Sequence, residues 1–157
     1  AAELFNTLAK VTMIHVPYRG TGPAIVGLMS GEASVMFMPT TNAVPLVKSG
    51  RLRALAVTTR ERLPAMPELP TVSESGLKDY ESSQWYGVLA PAGTPAEILN
   101  LLNSHIAKIM QNPEMKQRMT DSGSLAVGST RQEFAAHIRT EIVKWAKVIK
   151  ESGARVD

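Results

Sequence analysis

The sequence predicts an α/β fold built from parallel βαβ units, and three observations carry that prediction. Short apolar segments rich in β-branched residues alternate with segments of helical periodicity. Gly and Pro punctuate the junctions between them. Single helices separate successive strands, a spacing that calls for parallel pairing and a sheet covered on both faces. The 157 residues suffice for one ordinary domain or two small lobes. Hydrophobic residues at 44% and charged residues at 20% exclude disorder.

The elements follow in order. Ala1–Ala9 reads as a helix already under way, with no N-cap, no initiator Met and no signal-peptide pattern, as if the chain began in mid-structure. Thr12–Val16 is a buried strand ended by Pro17. Gly20-Thr21-Gly22 leads into a helix with Pro23 at its first position and Gly31 at its end. Ser34–Met38 is the second strand. Thr41 or Asn42 caps a helix that carries Val44, Leu46 and Val47, tolerates Pro45 in its first turn and closes at Gly50. Leu52–Thr58 is the third strand.

Pro64, Pro67 and Pro70 then hold the chain out of any helix or central strand. Thr71-Val72-Ser73-Glu74 is a capping box for one short turn ending at Gly76. Trp85–Ala90 is a fourth strand, and a lobe boundary falls around residues 80–85. Thr94-Pro95-Ala96-Glu97 signals a helix whose stripe is Ile98, Leu101, Leu102, His105 and Ile109. Asn112-Pro113 opens another helix, ended by Gly123. Leu125–Val127 is a short strand. Thr130-Arg131-Gln132-Glu133 caps a last helix with Phe134, Ile138, Ile142, Trp145 and Ile149 as its stripe; Arg139, Lys144, Lys147 and Lys150 form a solvated outer face, and Gly153 closes it.

Several function classes fall away. A net charge of +3 is too small a bias for nucleic-acid binding. No apolar run approaches the roughly 20 residues that span a bilayer. The absence of cysteine removes disulfides, thiolate metal sites and a Cys nucleophile. His15, His105 and His137 have no acidic or histidine partner at metal-ligand spacing, and His105 reads as a core or rim residue on its stripe. No Gly-x-Ser-x-Gly elbow or local Ser–His–acid set exists. The expectation is no catalytic residue, no metal and no cofactor.

Val16-Pro17-Tyr18-Arg19-Gly20-Thr21-Gly22-Pro23-Ala24 is the most informative segment. A Gly-rich loop between a strand and a helix aims backbone N–H groups and the positive helix end at whatever lies above it. The dinucleotide fingerprint fails at Ile25 and the P-loop pattern at Leu28-Met29, which disfavours nucleotides. Taken alone, the loop reads either as a tight turn before a helix, the plainer account, or as an anion site. Met38-Pro39-Thr40-Thr41-Asn42 also lies between a strand and a helix start, where open parallel sheets collect ligands; ordinary capping is the plainer account there too.

These segments, followed by Gly31-Glu32-x-x-Val35-Met36-Phe37, Gly50–Thr58, Leu69-Pro70-Thr71-Val72-x-Glu74-x-Gly76 and Trp85-Tyr86-Gly87-x-x-Ala90-Pro91-Ala92-Gly93-Thr94-Pro95, resemble the Bug family of periplasmic solute receptors of tripartite tricarboxylate transporters. Glu133-Phe134, Glu141 and Lys144-Trp145 fit the same pattern. The resemblance implies a partial type II periplasmic-binding-protein fold lacking the N-terminal half. Residues 1–84 correspond to most of the second, ligand-binding lobe and 85–157 to the C-terminal part of the first. It further implies a periplasmic, non-enzymatic receptor that closes two lobes on a small organic acid: a dicarboxylate, an acidic amino acid or an aromatic carboxylate. Membrane transporter subunits would be its partners. By the same resemblance Tyr18, Gly20, Thr21, Gly22 and Ala24 form one ligand loop, and Thr40, Thr41 and Asn42 a second, although Met38-Pro39 departs from the usual Phe followed by Asp. Agreement between resemblance and loop chemistry favours the anion site over the plain turn. The alternative is a non-binding assembly module that forms a swapped homodimer through exposed sheet edges.

Overall fold

The structure, a computed structural model, describes residues 1–153, so residues 154–157 of the expected second segment lie outside it. The chain divides into two compact units, Ala1–Ser83 and Gln84–Asp157. Unit 1 carries α1 (Ala2–Ala9), α2 (Thr21–Ser30) and α3 (Thr40–Lys48). Unit 2 carries α4 (Ala96–Gln111), α5 (Pro113–Asp121) and α6 (Arg131–Ser152).

The helices form where the sequence signals them, with corrections at three starts. α2 begins at Thr21, because Gly20 at φ 103° turns the chain into the helix; Pro23 therefore sits third rather than first, still within the turn whose N–H groups lack intrahelical partners. α3 begins at Thr40 behind Pro39, with no side-chain cap from Thr41 or Asn42. Pro45 consequently lies beyond the first turn, and its ring nitrogen cannot supply the i+4 donor to the Thr41 carbonyl. α4 lacks the expected capping box: Pro95 stands at the cap, and the Thr94 hydroxyl donates to the Pro91 carbonyl at 2.8 Å. The remaining signals act as written. Asn112 accepts from the N–H groups of Glu114 and Met115, and Thr130 with Glu133 forms a reciprocal capping box at α6. Gly31 and Gly153 end their helices in the left-handed region.

The expected strands are not paired. Among the described residues the only ladder contact is a parallel bridge between Val57 and Thr71. Val57 N–H donates to the Pro70 carbonyl and Val72 N–H to the Val57 carbonyl, each at 2.9 Å. Residues 12–16, 35–38, 53–56, 85–90 and 125–127 run without helix, turn, bend or ladder. β-branched composition favours a non-helical backbone locally, but a strand exists only when a neighbour supplies its N–H and C=O partners.

The core of unit 1 gathers around the proline-rich segment. Val44, Val57, Leu63, Met66, Val72 and Tyr80 are buried, Tyr80 at 1% exposure. The Tyr80 hydroxyl donates to the Ala1 carbonyl at 3.3 Å, and Phe5 of α1 packs edge-on against the Tyr80 ring. Burial pushes the Tyr80 phenol up to about 12, offset in part by Ser82. Thr71 is buried and satisfied: its N–H donates to Glu74 at 2.7 Å and its hydroxyl accepts from Glu74 N–H at 2.9 Å. Arg62 reaches the same carboxylate at 2.9 Å and the Pro67 carbonyl at 3.2 Å, fastening the proline-rich loop.

In unit 2, α6 takes the capping-box start and extends for 22 residues, about 33 Å. Its inward face differs from the expected stripe. Val148 is buried and Phe134, Ile138, Glu141 and Trp145 are half-buried, whereas Ile142 and Ile149 are exposed. The expected stripe of α4 is also open: Ile98, Leu101, Leu102, His105 and Ile109 are all exposed.

Candidate functional site at the start of α2

Tyr18 precedes the site and braces it. Its ring lies against Gly27 further along α2, so closely that a Cβ on Gly27 would stand 2.6 Å from Tyr18 Cζ. The Tyr18 hydroxyl is buried with no hydrogen-bond partner among the described residues. Burial first, and then the Glu32 carboxylate, raises its pKa above the ordinary phenol value. The side chain thus seats the helix, with its hydroxyl turned to Gly27 and not to the helix start. The glycine pattern of α2 contained this partner, but nothing in the spacing marked Gly27 as the seat for an aromatic ring.

The helix start itself is open. Gly20 N–H donates back to the Tyr18 carbonyl at 2.8 Å, and Ala24 N–H to the Gly20 carbonyl at 3.4 Å, so neither group is free to meet a ligand. Pro23 has no N–H. Thr21 and Gly22 are left as the two N–H donors without a protein acceptor among the described residues. Nothing lies within 4 Å of the position of a Cβ on Gly20 or Gly22, and no acidic residue occupies the first turn. Two unpaired donors at the positive end of a helix, under open space, suit one carboxylate.

The second candidate loop is more fully occupied. Asn42 and Ala43 N–H groups both donate to the Pro39 carbonyl at 3.0 Å. Thr40 is half-buried, while Thr41 and Asn42 are exposed and leave their side chains off the helix cap. Asn42 therefore offers its side chain but not its N–H. Both helix starts belong to unit 1.

Unit 2 holds a polar cluster that the sequence reading did not assemble. Glu141 accepts from Trp145 Nε1 at 2.8 Å, Trp85 Nε1 at 3.4 Å and Lys144 Nζ at 3.4 Å. Burial alone would raise the Glu141 carboxyl, but these donors and the Lys144 charge hold it below the ordinary range. Trp85 also packs edge-on against Phe134 and His137. Gly87 permits this approach, since a Cβ there would come within 2.7 Å of Phe134 Cε1. Lys144 is thus drawn inward, half-buried over the Trp145 ring, and does not join Arg139, Lys147 and Lys150 on the solvated face. With its lone pairs engaged by three protein donors, Glu141 acts as a clamp for residues 85–87.

A hollow of about 400 Å³ lined by Lys108, Asn112, Glu114 and Arg118 lies along α4 and α5, away from both helix starts in the sequence. No group of three or more His, Asp or Glu side chains among the described residues could hold a metal ion. No described helix is long and apolar enough to cross a membrane. His15, His105 and His137 are all exposed, which removes the core alternative for His105 and leaves the rim.

Comparison with known proteins bears directly on this arrangement. Residues 1–154 match the family described as tripartite tricarboxylate transporter family receptor. Protein BugT of Bordetella pertussis is 33% identical over 154 residues, 98% of this chain and 47% of its own length. The solved structure of the R. palustris protein Rpa4515 with adipate matches with a TM-score of 0.88 and 35% identity, covering 97% of this chain and 51% of that one. MatC from Rhodopseudomonas palustris with bound malate matches with a TM-score of 0.77 and 34% identity, over 94% and 51%. The chain thus spans about half the length of these relatives, and its backbone follows part of the α/β periplasmic-binding-protein fold. By its sequence match and its fold, the chain belongs to the Bug-type solute-binding receptors of tripartite tricarboxylate transporters.

Proposed function

We propose that this chain forms the ligand-binding part of a periplasmic receptor that takes up a small dicarboxylate and delivers it to a tripartite tricarboxylate transporter. The observation that carries the reading is the open start of α2, where Thr21 and Gly22 present unpaired N–H groups and no acidic side chain competes. The adipate and malate named with two relatives are both dianions, and one carboxylate of such a ligand suits this start. In this reading residues 1–84 serve as the second lobe, residues 85–157 as the C-terminal part of the first, and Thr40, Thr41 and Asn42 contribute side-chain contacts. Binding without turnover is the function, and membrane transporter subunits recognise the closed, loaded form.

Magnitudes set what one helix start can do. It stabilises an anion by about 0.3–1 kcal/mol, up to ~2 when partly buried. Even a millimolar Kd needs about 4 kcal/mol. The start of α2 therefore orients a carboxylate, and affinity comes from further contacts around it. The test is the thermal stability of the chain in adipate or malate against their neutral diamides at matched ionic strength. A concentration-dependent rise with the dianions alone is expected, through preferential binding to the folded state. No rise, or an equal rise with the diamides, overturns the reading.

A further inference from the structure

We propose that the turn closing α3, residues 48–53, is a docking surface for a partner protein, which it holds through an acidic segment. The proposal goes beyond the carboxylate reading and does not depend on it.

Three observations carry it. First, the turn concentrates unpaired cations. Residues 33–60 contain Lys48, Arg51, Arg53 and Arg60 and no Asp or Glu. Arg60 reaches Glu81 at 3.3 Å, and Arg62, Lys144 and Lys147 each have a Glu partner within 3.9 Å. Lys48, Arg51 and Arg53 are exposed and have no carboxylate partner among the described residues.

Second, the helix end does not need these cations. Basic side chains in a last turn commonly serve the open carbonyls there. In α3 the backbone already serves them. Ser49 N–H donates to the Pro45 carbonyl at 3.1 Å and Gly50 N–H to the Val47 carbonyl at 3.0 Å. Arg51 and Leu52 N–H both donate to the Leu46 carbonyl, at 2.9 and 3.2 Å, and the Ser49 hydroxyl adds a third bond to it. Gly50 at φ 71° lets the chain close this turn. The turn is thus a fixed mount that presents its cations at little further ordering cost.

Third, the spacing suits an extended acidic chain. Arg51 and Arg53 are exposed while Leu52 and Ala54 are half-buried, the alternation of an extended backbone. The two arginines therefore share one face, with Cα atoms roughly 7 Å apart, the interval between alternate residues of any extended peptide. Carboxylates at i and i+2 meet one guanidinium each, and its planar fork matches two carboxylate oxygens. A lipid surface is the weaker occupant. The exposed residues of the turn are Lys48, Ser49, Gly50, Arg51 and Arg53, with no apolar side chain to enter a bilayer. The turn stands about 12 Å along α3 from Thr40, so it is separate from that helix start.

The test is an amide NMR titration of the labelled chain with four probes. These are the acetylated and amidated peptide Glu-Thr-Glu-Thr-Glu, its Gln counterpart, inorganic phosphate, and vesicles of phosphatidylglycerol in phosphatidylcholine. The expected result is saturable shifts at Gly50, Arg51 and Arg53 with the acidic peptide alone. Arg51→Gln and Arg53→Gln should each weaken binding about 3–5-fold, and together at least ~10-fold, with thermal melts unchanged. Lys116→Gln on α5 should change nothing. Shifts spread over all the exposed cations would mean net charge without a site, and shifts centred on Thr21 and Gly22 would belong to the carboxylate reading alone. Equal shifts with phosphate, or loss of the turn signals on vesicles, would make the occupant a free anion or a membrane. Each of these results, or no shift at all, would overturn the proposal.

Discussion

Replacing Tyr18 with phenylalanine should stabilise unit 1, although it deletes a polar group from the loop expected to hold the ligand. The Tyr18 hydroxyl is buried against α2 with no hydrogen-bond partner among the described residues. An unsatisfied buried polar group costs about 1–3 kcal/mol, because the unfolded chain hydrates it. Tyr18→Phe should therefore restore up to about 1 kcal/mol, or at most roughly 4–8 °C in Tm for a unit of this size, less whatever the nearby Glu32 carboxylate contributes by accepting from the hydroxyl. The companion change is Gly27→Ala. Its Cβ would stand 2.6 Å from Tyr18 Cζ, an overpacking worth about 1–3 kcal/mol, offset by the ~1 kcal/mol that Ala gains over Gly within a helix. In a Tyr18→Ala background the collision disappears and Gly27→Ala should turn stabilising, giving a coupling of about 1–3 kcal/mol in a double-mutant cycle. Unit 1 contains no tryptophan to report on this site from within. Hydrogen exchange of the α2 amides together with thermal melts by circular dichroism reports on it. Loss of more than about 1 kcal/mol in Tyr18→Phe would show that the hydroxyl makes a bond essential to the fold, and zero coupling with Gly27 would show that the ring is not seated there.

Three further outcomes follow from the same geometry. Gly20→Ala should cost about 1–2 kcal/mol in thermal unfolding, because φ 103° strains any L side chain even where space is open; Gly22→Ala, in open space without that φ, should be far milder. Thr130→Ala should cost about 1 kcal/mol and fray the first turn of α6, read by amide exchange at Glu133. The Glu74 carboxyl is held below its ordinary value of 4.5, first by the Thr71 N–H and then by Arg62. Its contribution is therefore fully present above pH 4.5 and is lost as pH falls through the lower folded-state value. Acid should loosen residues 71–76, and Glu74→Gln should flatten that dependence.

The sequence carried the helices because their signals are local. Thr130 and Glu133, or Asn112 and its neighbours, make their bonds within three residues, so composition and spacing suffice. Pro39 and Pro95 misled the placement of two starts, since each takes the cap position that the adjacent threonines were expected to fill. Strand pairing was not legible. Thr12–Val16 has the composition of a strand, but its partners are not specified by its own residues. Periodicity places the stripe of α4 on one face, but whether that stripe is covered depends on what packs against it. The Glu141 clamp joins Trp85 to a helix position 56 residues away, a contact no local spacing announces. At the proposed site, the glycine-rich helix start was legible in the sequence, but not that the Gly20 and Ala24 N–H groups are engaged internally, which leaves those of Thr21 and Gly22 as the donors the proposal uses.

The central claim is that a carboxylate docks on those two amides. Titration of the isotopically labelled chain with adipate, followed residue by residue in amide NMR spectra, tests it most directly. The account predicts saturable shifts concentrated at Thr21 and Gly22, absent with the neutral diamide of adipate. Shifts that centre elsewhere, or that the diamide reproduces, would contradict it.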